Sequence, residues 1–296
     1  MLKINNLTFG YGNKRRTVIN GLNLSLDAGC VCGLLGPNGA GKSTLLYLIM
    51  GALTPRKGSV EFDGADTRLR RPESLQHMMI VPEEITLPPV SLDTYVRTFG
   101  AMYPDFSTDI LSLCLTEFNV ADCKKLSALS MGQKKKIYIS FALACRPRLL
   151  LMDEPTNGLD IPGKNAFRRL LASSVGDDTT VIISTHQVRD LDKLLDHVAI
   201  MDRNSIVLNE SIDDIQRHLA FQWNVPASSL ATPPLIVNPS PAGVDAMTLN
   251  DDPDNTTKVN LELLFEYAMT HKDDLSRLFS RRTATDSQTA NPTETE

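Results

Sequence analysis

The stretch Gly36-Pro-Asn-Gly-Ala-Gly-Lys-Ser-Thr44 constrains this chain more than any other. It fills the pattern G-x-x-x-x-G-K-[ST], with Gly36, Gly41, Lys42 and Ser43 at the fixed positions. Before it, Cys30-Val-Cys-Gly-Leu-Leu35 is a short apolar run that predicts a buried strand; after it, Ser43 to Leu53 predicts a helix. A strand that turns directly into a helix aims successive backbone N–H groups, and the positive end of the helix dipole, at one point. That point is an anion site for a polyphosphate. The residues between, Asn38, Gly39 and Ala40, belong to the cradle, as does Thr44. Lys42 is placed to reach the β- and γ-phosphates and the Ser43 hydroxyl to ligate Mg²⁺.

Composition narrows the setting. With 296 residues the chain can bury a sizeable core in one large domain or two smaller ones. A net charge of −5 gives no support to nucleic-acid binding, and the basic clusters at Lys14-Arg15-Arg16, Arg68 to Arg71 and Lys134-Lys135-Lys136 read as solvated faces. No apolar run approaches the roughly 18 residues needed to cross a bilayer, and Met1 to Gly10 is no signal peptide. The expectation is a cytoplasmic protein unless a partner holds it at a membrane. Five cysteines without paired spacing suit a reducing compartment; Cys30 and Cys32 share one strand face and read as packing.

Met1 to Ala28 alternates in short stretches broken at Gly10-Tyr-Gly12 and Asn20-Gly21, which predicts antiparallel strands feeding the nucleotide strand. Further strands are expected at Ser59 to Gly64 and Met78 to Val81. From about Leu92 to Cys145 the spacing turns helical: Asp93 to Met102, Ser107 to Phe118, and Met131 to Cys145, ended by Pro147. A helical block between two core strands predicts a separate lobe, about residues 85–146. The core then resumes with strands at Leu149 to Met152 and Val181 to Ser184, helices at Lys164 to Ala172 and Asp190 to Leu195, and a hairpin around Arg203-Asn204. This is an α/β fold with a mostly parallel sheet and an antiparallel β edge. Residues 1–217 form its nucleotide-binding domain, 218–282 an accessory region of weaker pattern, and 283–296 a disordered tail.

Leu149-Leu-Leu-Met-Asp-Glu154 sets two carboxylates at the end of an apolar strand, where α/β sheets place their ligands. Unpaired carboxylates are costly there. Asp153 is suited to hold Mg²⁺ and Glu154 to orient and polarise a water; the alternative is a pair of capping acids before the Pro155 turn.

At this point the chain resembles the ATP-binding cassette family, the motor subunits of ABC transporters. Leu129-Ser-Met-Gly-Gln133 is similar to the family signature L-S-G-G-Q, Thr156-Asn-Gly-Leu-Asp160 to its D-loop, and Ser184-Thr-His186 to its switch histidine; Tyr11 stands where the family has an adenine-stacking aromatic. The likeness covers Leu2 to Ile215. It implies a P-loop ATPase binding ATP and Mg²⁺ and working with a separately encoded integral membrane subunit at the inner face of the cell membrane. It also implies a second ABC subunit whose nucleotide faces Ser130, Gly132 and Gln133, with Asp160 nearby, while His186 contacts the γ-phosphate. A plain helix cap would use the same Ser130, and a core histidine the same position 186.

Two departures stand out. Met131 replaces the first signature glycine. In Val81-Pro-Glu-Glu84, Glu83 occupies the place of the family's usual Mg²⁺-facing glutamine; it either ligates the metal more strongly or swings away, and Glu84 is the alternative. The Lys134-Lys135-Lys136 run and Leu261-Glu-Leu-Leu-Phe265 look like cassettes of small ABC-2-type exporters. The competing function is a soluble cassette ATPase acting on ribosomes or DNA. In the tail, Leu261 to Phe279 predicts one helix whose apolar stripe packs either on its own domain or, the favoured expectation, on a second subunit near the dimer axis. On that expectation, deleting everything after Ala220 leaves a folded ATPase.

Overall fold

A computed structural model describes residues 1–12, 17–120, 125–187, 194–230, 232–241, 243–275 and 277–279. The expected helix at Asp190 to Leu195, the Lys14-Arg15-Arg16 cluster and the tail 283–296 lie wholly or largely outside them.

The alternating stretches at the N-terminus form β1 (Leu2–Phe9) and β2 (Ile19–Leu26), antiparallel partners whose inward residues Leu2, Ile4, Leu22 and Leu24 are buried. With β4 (Lys57–Phe62) and β5 (Ala65–Asp66) they make one antiparallel sheet in the order β2-β1-β4-β5. The central sheet comprises β3 (Val31–Leu35), β6 (Met78–Val81), β7 (Leu149–Asp153), β8 (Thr180–Thr185), β9 (His197–Asp202) and β10 (Ser205–Ser211). Its order is β10-β9-β3-β8-β7-β6, parallel throughout except for the antiparallel edge β10. Strands buried on both faces read as continuous apolar runs, as β7 and β8 do. Arg203 and Asn204, at φ 39° and 84°, make the tight turn between β9 and β10.

Helix α1 (Lys42–Ile49) leaves β3 through the glycine-rich loop. It is shorter than the spacing predicted, because Gly51 at φ 64° supplies the left-handed step that ends helices. A short α2 (Pro72–Leu75) leads into β6. Between β6 and β7 stand α3 (Leu92–Phe99), α4 (Thr108–Glu117) and α5 (Met131–Ala144), each started by a serine whose hydroxyl accepts a backbone N–H: Ser91, Ser107 and Ser130. Helix α6 (Ile161–Ser174) joins β7 to β8 and is capped by Asp160.

The C-terminal region differs from its sequence reading. After α7 (Ile212–His218) the chain builds a third sheet from β11 (Leu219–Val225), β12 (Ile236–Ser240) and β13 (Gly243–Leu249), in the order β11-β13-β12. Pro239 hid it: a proline breaks a strand pattern, yet is accommodated because β12 lies at the edge. Helix α8 runs only from Leu261 to Thr270. There the Thr270 hydroxyl bonds back to the Glu266 carbonyl and His271 leaves helical geometry before helix resumes at 272–275. Its stripe is not free for a second subunit. Leu261, Leu264, Ala268 and Leu275 are buried in the same cluster as Val198, Ile200 and Leu208 of the central sheet. Burying them intramolecularly removes the apolar area that the expected intersubunit contact required.

Candidate functional site

In the central sheet, Leu35 of β3 is level with Thr185 of β8, and Ser184 with Asp153 of β7. The strands therefore end together, and the loops leaving their C-terminal ends converge on one place. The phosphate loop, the Asp153-Glu154 pair and His186 border a cavity of about 580 Å³ lined by Tyr11, Asn38, Gly39, Gly41, Lys42, Ser43, Thr44, Glu83, Asp153, Glu154 and His186. That size suits a nucleotide.

The loop's shape depends on its glycines. A Cβ on Gly36 would stand 2.7 Å from the Met201 carbonyl, and Gly41 adopts φ 105° as it opens α1. Gly36 and Ala40 do not line the cavity; Gly36 gives close approach to β9, and Ala40 is buried beneath the loop with its N–H donated to the Pro37 carbonyl. Lys42 Nζ donates to the carbonyls of Gly36 (2.7 Å) and Pro37 (3.3 Å). Burial lowers its proton affinity, and Glu154, Asp153 and Glu83 counter that loss. Tyr11 packs edge-on to Phe9 and its hydroxyl is 3.2 Å from Thr44 Oγ1, which leaves its exposed ring presented at the cavity mouth.

Glu154 carries the most constrained geometry. Its backbone has φ 44°, a left-handed conformation that costs about 1–2 kcal/mol in a residue other than glycine. Its N–H is held by the Ser184 carbonyl at 3.0 Å. The turn aims the carboxylate inward, where Oε1 accepts from His186 N at 3.1 Å and lies 2.7 Å from His186 Nδ1, while Oε2 accepts from Thr185 Oγ1 at 3.2 Å. With a carboxylate as acceptor, the imidazole proton sits on Nδ1. Asp153 is buried beside it, its Oδ1 accepting from Ser184 Oγ. Glu83, not Glu84, lines the cavity, and its Oε1 accepts from Asn157 Nδ2 at 3.5 Å.

The signature residues are elsewhere. Ser130, Gly132 and Gln133 do not line this cavity, nor does Asp160. Ser130 Oγ accepts from Gln133 N while Gln133 Oε1 accepts from Ser130 N, so the Gln133 side chain serves a capping box, not a ligand of this cavity. Asp160 caps α6 through Gly163 N and pairs with Lys136 at 3.0 Å.

The sequence reading missed Thr17, Val18 and Asn204, which complete the cavity wall. They belong to the ends of strands that fold back over the loop and carry no motif; Asn204 is held there by its carbonyl accepting Asn20 N at 2.9 Å. Lys135 was missed as well. It is buried, and its Nζ donates to the carbonyls of Glu154 (2.7 Å) and Asn157 (3.0 Å).

A phosphate-binding loop facing a strand-end pair of carboxylates defines a nucleotide-hydrolysing α/β protein. Comparison with known proteins narrows the class. Residues 19–157 match the family described as ABC transporter. The chain is 32% identical over 219 residues to the lantibiotic transport ATP-binding protein SrtF of Streptococcus pyogenes, covering 72% of this chain and 92% of that protein. It is 31% identical over 208 residues to a Nod factor export ATP-binding protein I of Cupriavidus metallidurans, covering 68% of each. Among solved structures, an ATP-binding subunit of an ABC transporter superposes with a TM-score of 0.66 at 24% identity, over 73% of this chain and 92% of that one. The chain belongs to the ATP-binding subunits of ABC transporters. It is an ATPase of that family, and these relatives give no support to the ribosome or DNA alternative.

Proposed function

We propose that the chain is the motor of an exporter, driving a separately encoded integral membrane subunit at the inner face of the cell membrane and pairing with a second cassette. Export rests on the relatives named for lantibiotic transport and Nod factor export. Among the described residues no helix is long and apolar enough to cross a membrane, so attachment would come through the partner. We read residues 1–217 as the nucleotide-binding domain, with the helical lobe at about 85–146, and 218–282 as an accessory region packed on it.

The site's residues fit ATP with Mg²⁺. Tyr11 offers a ring for the adenine, and Lys42 with the loop N–H groups meets the phosphates. Ser43, Asp153 and Glu83 supply an oxygen-only donor set of the kind Mg²⁺ takes, and bound Mg²⁺ would neutralise charge on the phosphate oxygens. Glu154 is assigned to orient the attacking water, and His186, held by Glu154 at 2.7 Å, to contact the γ-phosphate.

One observation carries the pairing. Ser130 is exposed at the N-terminus of α5 and lies outside its own chain's cavity. We read this helix start as an anion site for a partner's nucleotide, with Gly132 in its first turn and Asp160 assigned to the same interface by family resemblance. The test is size-exclusion chromatography of Glu154→Gln with ATP, together with a pull-down from solubilised membranes. An ATP-dependent dimer and a co-purifying multi-span protein are expected. A monomer at high protein and ATP concentration removes homodimeric pairing, and recovery without any membrane protein removes the exporter reading.

A further inference from the structure

Lys135 sits inside a run of three lysines, where solvated side chains are the ordinary outcome, yet it is 5% exposed. A buried ammonium costs several kcal/mol unless it is compensated. Here two carbonyls compensate it, and both belong to the same turn: Glu154 O at 2.7 Å and Asn157 O at 3.0 Å. That turn closes on itself through Asn157 N donating to the Glu154 carbonyl at 3.2 Å. It also contains the left-handed step that aims the Glu154 carboxylate.

Asn157 extends the connection. Its side chain donates to Glu83 at 3.5 Å and accepts from Gln187 at 3.3 Å. Burial lowers the proton affinity of Lys135, and Glu83, Glu154 and Asp153 counter that loss, Glu83 foremost. The ammonium is thus a node between α5, the turn after β7 and the loop after β6. A hydrocarbon side chain of the same length would fill the space without holding either carbonyl.

We propose that Lys135 is a positioning residue for hydrolysis: its ammonium fixes the turn that holds Glu154 and ties it, through Asn157, to Glu83. This rests on the assignment of Glu154 to the attacking water. The helix that begins at Ser130 and the carboxylate that acts on water then move as one body. Lys135 lies outside the nucleotide cavity, so its effect belongs to the chemical step and not to ATP binding.

The test compares Lys135→Met, which keeps length and loses charge, with Lys135→Arg, which keeps the charge and several donors, in the full chain. Lys135→Met should lower kcat about tenfold or more, the scale of a reacting group held slightly out of place, with KM and the calorimetric ATP affinity within about twofold of wild type. Lys135→Arg should recover a substantial part of the rate. Wild-type kcat in Lys135→Met overturns the proposal, and so does an equal loss in both variants. A parallel fall of kcat, ATP affinity and melting temperature overturns it too, since that marks a purely structural role. If Lys135→Met is insoluble, Lys135→Gln carries the same comparison. Glu154→Gln is measured alongside. Normal turnover there overturns the assignment of Glu154 itself, whereas a slow Glu154→Gln beside an unaffected Lys135→Met overturns only the role of Lys135.

Discussion

Lys42 Nζ stands 3.9 Å from Glu154 Oε1, with both side chains buried in the wall of one cavity. The cation we assign to phosphate and the carboxylate we assign to the attacking water therefore already stand side by side, each tied to backbone partners of its own. Such preorganisation lowers the cost of assembling the site when nucleotide arrives.

Lys42→Ala should weaken ATP binding by roughly ten- to a hundredfold, the scale of losing charge-assisted hydrogen bonds worth about 1.5–3 kcal/mol. The direction is reinforced by Glu83, Asp153 and Glu154, which line the same cavity and would lose their neighbouring cation. Isothermal calorimetry measures it. Unchanged affinity would detach the loop from phosphate binding altogether.

Glu154→Gln keeps the size of the side chain and one acceptor oxygen, enough for His186, while the amide nitrogen cannot accept from Thr185 Oγ1 and the charge is removed. Steady-state hydrolysis should fall at least about a hundredfold, the scale of a lost general base, with ATP still bound. Phosphate release and nucleotide affinity measured on one preparation separate the two effects. Loss of both together would assign Glu154 to binding.

The features legible in sequence are those fixed by short spacing. The strand, glycine loop and helix from Cys30 onward, and the apolar run ending in Asp153-Glu154, announce themselves because each function needs neighbouring residues in a fixed order. What was not legible depends on long-range contact. Nothing local distinguishes Lys135 from Lys134; only the docking of α5 beside the turn after β7 takes it out of water. Asn204 enters the cavity wall because a hairpin folds back toward Asn20. The β11-β13-β12 sheet was masked by Pro226, Pro233, Pro234 and Pro239, which interrupt alternation without preventing short strands.

Glu210 gives the fold a pH dependence unrelated to nucleotide. Burial, aided by the Asp214 charge, pushes its carboxyl up to about 7 from an ordinary value of 4.5. The folded protein then holds a proton that the unfolded chain releases. This contribution to stability is full below about pH 4.5 and is lost as pH rises through about 7. His197 on the neighbouring strand is shifted down by burial and acts in the opposite sense. The difference between wild type and Glu210→Gln isolates the effect. In urea melts, wild type should lose stability relative to the variant between about pH 5 and pH 8. A difference independent of pH would contradict the burial of that carboxyl.

The C-terminal region should prove inseparable from the nucleotide domain. Leu219, Phe221, Met247 and Leu264 are buried in one cluster with Val198 and Ile200 of the central sheet, and Lys272 is paired with Asp202 at the end of β9. That strand adjoins β3, which carries the phosphate loop. Leu264, fully buried on α8, is the sharpest probe. Leu264→Ala should destabilise the chain by about 2–5 kcal/mol, the range for a large-to-small change in a packed core, and lower the temperature at which ATPase activity is lost. Deleting everything after Ala220 uncovers the sheet face beneath and should give aggregated protein in place of a free-standing ATPase. Thermal denaturation followed by light scattering checks both. If the truncated chain stays monodisperse and hydrolyses ATP at the full-length rate, the tail is an appendage and the shared core is not required for the cassette to fold.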